Sequence, residues 1–306
     1  MGISEQYPGV YAAMATPLTQ DGEIDPAGVK NVVDYLFQSG VTGLSILGST
    51  GEGPALTIAQ RQKALELSVE AAAGRGAVFT GAASTIVSEV IASLKTSAGS
   101  GSKGALVPPP YYYRLESDAI VTYFERIAEA SPVPIILYNI PVMTKLQLPP
   151  AAVARLAAHP NIMGLKDSGG DLGYFANLAR LVADIPGFTL YTGSDELLAA
   201  ALTVGGHGLI GGAVNTVPEL LSAVFRAYQE GDTARAVALA GPIARANAAL
   251  KVGTFPAAIK AQYALKGLCG PYVAAPIPVL TDDEMAELRE RLLAAEVDLA
   301  PAVATA

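Results

Sequence analysis

The stretch Asn161-Ile162-Met163-Gly164-Leu165-Lys166-Asp167-Ser168-Gly169-Gly170-Asp171 decides how the chain is read. Residues 162–165 form a short apolar run of strand length, and polar and glycine residues follow at once. A strand with no polar alternation is one buried on both faces, as parallel strands are. Lys166 then stands where the strand leaves the core. Burial disfavours the charged form of a lysine, and a neutral lysine amine is a nucleophile toward carbonyl carbon. Taken alone, Lys166 reads more readily as a side chain that carries its charge out to water at a strand end. The flanking sequence decides between these readings.

The same punctuation recurs on both sides. Upstream, apolar runs at residues 10–15, 44–47, 78–80, 104–107 and 134–138 read as strands, and downstream so do 188–191 and 208–211. Helical patterns lie between them. Asp25-Pro26 opens one, with Asp as N-cap and Pro at the first helical position, and Val29, Val32, Val33, Leu36 and Phe37 form its apolar stripe. Thr57 and Gln60 make a capping-box pattern. Further helices are expected from about Ser84, through Ile120 to Ile127, from Pro149-Pro150, after a Ser194 cap, and from Pro218 to near Gly231. Strand-then-helix units repeating at roughly thirty residues are βαβ units. Eight of them predict a (β/α)8 TIM barrel, an α/β fold with a parallel sheet covered by helices. A doubly wound sheet would want a glycine-rich phosphate turn after the first strand, and Thr16-Pro17-Leu18 is not one. After Gly231 no comparable strand appears: residues 232–250 read as one alanine-rich helix, 255–268 as a second, and Thr281-Asp282-Asp283-Glu284 as the cap of a third. The chain is therefore read as a barrel domain over residues 1–231 and a small helical domain over 232–306.

Composition narrows the function. With 51% hydrophobic and 16% charged residues, the chain is a compact globular protein. A net charge of -8 argues against a nucleic-acid partner. One cysteine, Cys269, allows no internal disulfide and no cysteine metal cluster, and two histidines, His159 and His207, exclude a histidine-rich metal site. The longest uncharged stretch, residues 197–218, is broken by glycines and His207 and reads as helix, turn and strand rather than a membrane span. No basic residue precedes Lys30, which argues against a secretory leader, and a cytoplasmic protein is expected.

Catalytic groups of a TIM barrel sit at the carboxyl ends of its strands. Those positions carry Gly48-Ser49-Thr50-Gly51-Glu52-Gly53, Tyr111-Tyr112-Tyr113-Arg114, Tyr138-Asn139-Ile140-Pro141, Lys166-Asp167-Ser168 and Gly193-Ser194-Asp195. A nucleophilic amine, phenols, hydroxyls and glycine loops suit imine chemistry on an oxo acid. The amine attacks the ketone, a phenol moves protons, and free N–H groups hold the carboxylate. Several of these residues have plainer readings. Tyr138 alone is a core tyrosine. Asp167 and Ser168 are caps of the next helix as readily as substrate contacts. Asp171 is a helix start, His207 a turn residue and His159 a loop residue.

Taken together and in order, Gly48-Ser49-Thr50-Gly51-Glu52, the Tyr111-Tyr112 pair, Tyr138-Asn139-Ile140-Pro141 and Gly164-Leu165-Lys166-Asp167 resemble the pyruvate-dependent class I aldolases. That superfamily contains dihydrodipicolinate synthase and N-acetylneuraminate lyase. The resemblance runs over nearly the whole chain. It implies Lys166 as the Schiff-base lysine, Tyr138 as the proton-shuttling phenol and Ser49 as the relay hydroxyl. It further implies Thr50 and Gly48 at the carboxylate site, and Gly193 and Ile210 as backbone neighbours of the imine. Tyr112 resembles the tyrosine that crosses a subunit interface to complete the relay. No cofactor is then needed beyond the covalent imine between Lys166 and the oxo acid. The implied partners are an oxo acid, an aldehyde and three further copies of the chain, in a dimer of dimers.

Within the superfamily, the synthase of lysine biosynthesis carries an arginine at the position held here by Met143. A thioether forms no charge-assisted pair with a carboxylate. The run from His159 to Asp171 looks like 4-hydroxy-2-oxoglutarate aldolase, in which the serine matching Ser168 contacts substrate. Tyr111-Tyr112-Tyr113 looks like the 2-keto-3-deoxy sugar acid aldolases. The resemblance therefore implies a lyase that reversibly cleaves a 4-hydroxy-2-oxo acid to pyruvate and an aldehyde. Dihydrodipicolinate synthase, condensing pyruvate with aspartate semialdehyde, is the alternative, and a non-catalytic oxo-acid-binding protein is the alternative of another class.

Overall fold

The computed structural model describes residues 6–302, so residues 1–5 and 303–306 of the two expected domain ranges lie outside the described residues. Eight parallel strands close into a barrel in chain order. They are β1 (Gly9–Ala13), β2 (Gly43–Ile46), β3 (Ala77–Gly81), β4 (Gly104–Val107), β5 (Ile135–Asn139), β6 (Ile162–Asp167), β7 (Thr189–Thr192) and β8 (Gly208–Gly211). Pairing of β1 with β8 closes the ring. This is the (β/α)8 TIM barrel expected from the sequence.

Helices α1 (Pro26–Gln38), α2 (Ile58–Ala72), α3 (Val87–Ala98) and α4 (Ser117–Ala130) follow the first four strands in turn. A single turn α5 (Pro141–Thr144) and then α6 (Pro150–Ala157) follow β5, and α7 (Leu172–Val182), α8 (Leu198–Thr203) and α9 (Pro218–Gln229) follow β6, β7 and β8. The chain continues through α10 (Thr233–Ala238), α11 (Ala240–Ala249), α12 (Ala257–Leu265) and α13 (Asp282–Ala294). Local chemistry explains the starts. The Asp25 carboxylate accepts from Gly28 N–H at 3.0 Å. Thr57 with Gln60, and Thr281 with Glu284, form complete capping boxes. Each such cap contributes about 1 kcal/mol.

Three expectations need correction. The helix expected from about Ser84 begins at Val87, because the Ser84 hydroxyl donates to Glu89 and accepts from Ile86 N–H and so closes a turn ahead of it. Ser194 does not cap α8, because a 3-10 turn over Asp195–Leu197 comes first. The alanine-rich stretch 232–250 is two helices, since Pro242 cannot donate within a helix interior and sits in the first turn of α11. The α5 turn was not visible in the sequence, being too short for any periodicity.

Three apolar clusters organise the packing. Tyr11, Phe79, Tyr191, Ile136, Met163 and Ile210 fill the barrel interior. The rings of Tyr11 and Phe79 lie 4.9 Å apart, and Tyr191 meets Tyr11 edge-on at 5.6 Å. The interior is thus a packed core below the carboxyl ends of the strands, as barrels of this kind require. One outer cluster joins β4–β6 to α4, α6 and α7. The other joins β1, α1 and α9 to Ile243 of α11, Ile259 and Tyr263 of α12, and Leu288 and Leu292 of α13. The C-terminal helices therefore share a continuous core with the β1 side of the barrel.

Candidate active site

The orientation of Lys166 depends on an irregularity in β6. Side chains along a regular strand alternate between faces. Met163 belongs to the interior cluster, so strict alternation would turn Leu165 inward and Lys166 outward. Leu165 instead packs in the outer cluster. The register shows why: Ile135 pairs with Ile162 but Ile136 pairs with Gly164, so Met163 is an extra residue. A bulge of this kind re-aims the side chains beyond it. Past the bulge, Tyr138 pairs directly with Lys166, and both point into the mouth of the barrel.

Lys166 Nζ lies 3.2 Å from the Tyr138 hydroxyl and 4.4 Å from the centre of its ring. Both side chains are buried. Their strand ends are locked together from below. The Asp167 carboxylate accepts from Asn139 Nδ2 at 2.7 Å and from Gly169 N–H at 3.0 Å. Asn139 Oδ1 accepts from Leu148 N–H at 2.9 Å. Burial raises the Asp167 carboxyl above its ordinary value, and the two donors oppose that rise. Neither Asp167 nor Ser168 caps α7. Asp171 does, accepting from Tyr174 N–H at 3.1 Å.

Ser49 and Thr50 reach the cavity from the turn after β2. That turn is tight: Leu47 and Glu52 both have left-handed backbones, at φ 59 and φ 56. A Cβ on Gly53 would stand 2.0 Å from the Leu47 carbonyl oxygen, so only glycine closes it. From the strand on the other side, Gly193 donates to the Asp167 carbonyl at 2.6 Å. A Cβ there would lie 2.0 Å from Ser168 Oγ and 2.9 Å from Lys166 Cε. The close approach of β7 to the lysine is therefore possible only because residue 193 has no side chain.

Lys166, Tyr138, Ser49, Thr50, Ser168 and Gly193 share one cavity of about 490 Å³. A second cavity of about 340 Å³ adjoins it and shares Ser49 and Tyr138. It also carries Gly48 and Tyr111. Ile210 and Tyr112, the first expected as a backbone neighbour of the imine and the second in a neighbouring subunit's relay, are not among the residues lining these two cavities. Ile210 is fully buried in the interior cluster. Tyr112 is 88% exposed, has a left-handed backbone at φ 84, and stacks edge-on against Tyr113 at 5.1 Å.

Sequence reasoning missed part of the lining. Asp195 lies in the same cavity wall, and burial pushes its carboxyl up to about 6, against the attraction of Lys166. Its position at the end of β7 was the available signal. Met143, singled out by the resemblance, lines the cavity from α5; Val142 beside it, and Asn247, Lys251, Phe255 and Ile259 from the C-terminal helices and their connection, were not expected there. Nothing in their local sequence marks them. His207 and His159 are structural: their Nδ1 atoms accept from Leu190 and Asn161 N–H, at 3.0 and 3.1 Å. Among the described residues no group of three or more His, Cys, Asp or Glu is arranged to hold a metal ion. No helix among them is long and apolar enough to cross a membrane.

A barrel with an amine and a phenol paired at the carboxyl ends of neighbouring strands defines a class of carbonyl-processing enzymes, and comparison with known proteins narrows it. The chain belongs to the dihydrodipicolinate synthetase family, whose model matches residues 6–295. It is accordingly a pyruvate-dependent class I aldolase, a carbon–carbon lyase. It is 32% identical over 288 residues to a 4-hydroxy-tetrahydrodipicolinate synthase of Methanosphaerula palustris, covering 94% of this chain and 98% of the relative. A protein of the same name from Hyphomonas neptunium is 34% identical over 269 residues, covering 88% and 92%. Among solved structures, YagE, an E. coli prophage protein of the dihydrodipicolinic acid synthase family in complex with pyruvate, superposes with a TM-score of 0.91 at 28% identity. That match covers 96% of this chain and all (100%) of the other. Dihydrodipicolinate synthase from Aquifex aeolicus matches with a TM-score of 0.89 at 27% identity, over 95% and 99%.

Proposed function

We propose that Lys166 forms an imine with pyruvate and that the resulting enamine adds reversibly to an aldehyde. The observation that carries this reading is the buried 3.2 Å approach of Lys166 Nζ to the Tyr138 hydroxyl. The amine of Lys166 attacks C2 of the oxo acid and gives a carbinolamine. Tyr138 passes protons so that the C2 oxygen leaves as water and the imine forms. Loss of a C3 proton makes the enamine, whose C3 attacks the aldehyde carbon and leaves a 4-hydroxy imine that water releases. Cleavage runs the same steps backward. Thr50, with the free N–H groups of its turn, holds the carboxylate, and Ser49 extends the proton relay from Tyr138. Gly48 borders the bound carboxylate, and Gly193 and Ile210 are backbone neighbours of the imine. Tyr112 serves the relay of a neighbouring subunit in a homotetramer. No cofactor enters, because the imine itself is the electron sink.

The identity of the aldehyde divides two readings. The names of the relatives support a synthase that uses aspartate semialdehyde, so this alternative now stands first. The lining of the cavity supports the other reading, cleavage of a 4-hydroxy-2-oxo acid. Residue 143 is a methionine, and among the described residues the wall carries, besides Lys166, one cation, Lys251, which is itself exposed. Borohydride reduction with pyruvate tests the chemistry: a mass increase on Lys166 is expected, and an unmodified lysine would sink the reading. A panel comparing condensation with aspartate semialdehyde against pyruvate release from 4-hydroxy-2-oxoglutarate and 2-keto-3-deoxy sugar acids then ranks the two.

A further inference from the structure

We infer that Glu52 and Lys260 form a positioning pair that fixes the Ser49-Thr50 turn from the C-terminal helices. Glu52 Oε1 lies 2.8 Å from Lys260 Nζ, and both side chains are fully buried (0% exposed). The contact is a charge–charge approach outside hydrogen-bond alignment. Each ion has further partners that make the geometry unique. Glu52 Oε2 accepts from Ala274 N–H at 2.6 Å. Lys260 Nζ donates to the Thr16 carbonyl, and Thr16 Oγ1 donates to the Gly51 carbonyl at 2.6 Å. One pair of charges thus ties the segment after β1, the turn after β2, α12 and the segment before α13.

Stability does not explain such a pair. Desolvating two ions costs as much as their attraction returns, and apolar replacements are often neutral or better. What the pair does hold is a strained backbone. Glu52 sits at φ 56, a conformation that persists in a non-glycine residue only where its surroundings over-determine it. Glu52 N–H donates to the Ser49 carbonyl and Gly53 N–H to the Gly48 carbonyl, both at 3.2 Å, so the backbone of Glu52 is part of the turn that presents Ser49 and Thr50. The proposal rests on the Schiff-base reading for the importance of that turn. It adds that residues more than two hundred positions downstream set its shape.

The test compares wild type with Glu52→Gln and with the doubly neutral Glu52→Gln/Lys260→Met. Ile127→Ala, a core truncation in α4 within the other outer cluster, is the control for lost stability. In the pair variants the KM for pyruvate is expected to rise at least tenfold, with borohydride trapping on Lys166 retained at saturating pyruvate. Ile127→Ala should lower Tm without moving KM. Pair variants that fold and keep KM within twofold of wild type overturn the proposal. Should both fail to fold, Glu52→Asp keeps the charge, shortens its reach and carries the same comparison. Hydrogen exchange at the Glu52 and Gly53 amides gives a readout independent of activity. It should accelerate in the pair variants, and unchanged protection overturns the proposal even if wild type fails to trap pyruvate and the Schiff-base reading falls.

Discussion

Lys166 and Tyr138 face each other across adjacent parallel strands, in direct register, with 3.2 Å between the amine and the phenol. The pairing sets the nucleophile on β6 and its proton partner on β5 at one level of the barrel mouth. Replacing Lys166 by Met removes the nucleophile while keeping an unbranched side chain in the buried site. Pyruvate trapping should vanish and turnover should fall by roughly a thousandfold or more. Mass spectrometry after borohydride treatment and a steady-state assay check this together.

Tyr138→Phe separates binding from proton transfer. The ring keeps its place in the interior cluster, so the barrel should fold as before. The imine should still form, but slowly, and kcat should fall by about 10²–10⁴, the usual worth of a positioned acid–base group. Single-turnover trapping rates give the measurement. A variant as fast as wild type would remove the phenol from the mechanism.

Gly193→Ala probes how closely β7 approaches the lysine. Its Cβ would meet Ser168 Oγ at 2.0 Å and Lys166 Cε at 2.9 Å. Ser168 must turn aside and the amine must shift, and a displacement on the order of 1 Å at a reacting group costs roughly 10² in rate. The expected result is an intact far-UV CD spectrum with kcat reduced by about that factor.

Met143→Arg asks whether residue 143 selects the aldehyde. The position is half exposed (51%), so an arginine is tolerated. A charge-assisted hydrogen bond is worth about 1.5–3 kcal/mol. The KM for aspartate semialdehyde should therefore fall by roughly 10- to 100-fold, while activity on 4-hydroxy-2-oxoglutarate stays within a few-fold of wild type. An unchanged KM for the semialdehyde would show that other residues decide the choice.

Asp195 gives the protein a pH signature. Its carboxyl is raised from 3.8 to about 6, chiefly by burial, with Glu196 raising it further and Lys166 and the Ala213 N–H lowering it. A group that holds its proton more tightly when folded contributes full stability below its unfolded value, and that contribution is lost as pH rises through the folded one. Between pH 4 and 6.5 Asp195 should thus weaken the fold, by about 3 kcal/mol at most. Asp195→Asn should match wild type near pH 4 and exceed it at pH 7 in urea unfolding. Asp167, also raised, is common to both proteins and cancels in the difference. Parallel pH curves for the two would show that Asp195 is ionised at little cost.

Reading from the sequence was surest where the signal is local. Asp25-Pro26, Thr57 with Gln60 and Thr281 with Glu284 announce helix starts because the capping groups lie within one turn of each other. Short apolar runs without alternation mark strands covered on both faces, and their recurrence between helices leaves a closed parallel barrel as the simplest arrangement. Lys166 and Tyr138 were legible for the same reason, since each stands where an apolar run gives way to polar residues.

The tertiary structure alone decided the rest. The sequence of β6 does not reveal that Met163 is an extra residue, yet that bulge turns Lys166 into the barrel rather than out of it. A bulge is a property of pairing between two strands, and a single strand carries no record of it. Phe255 and Ile259 reach the cavity, and Lys260 reaches Glu52 from 208 residues away, only because the C-terminal helices fold back on the β1 side. Contacts at that separation come from packing of apolar faces, which specify that surfaces must be covered but not which distant side chains will meet.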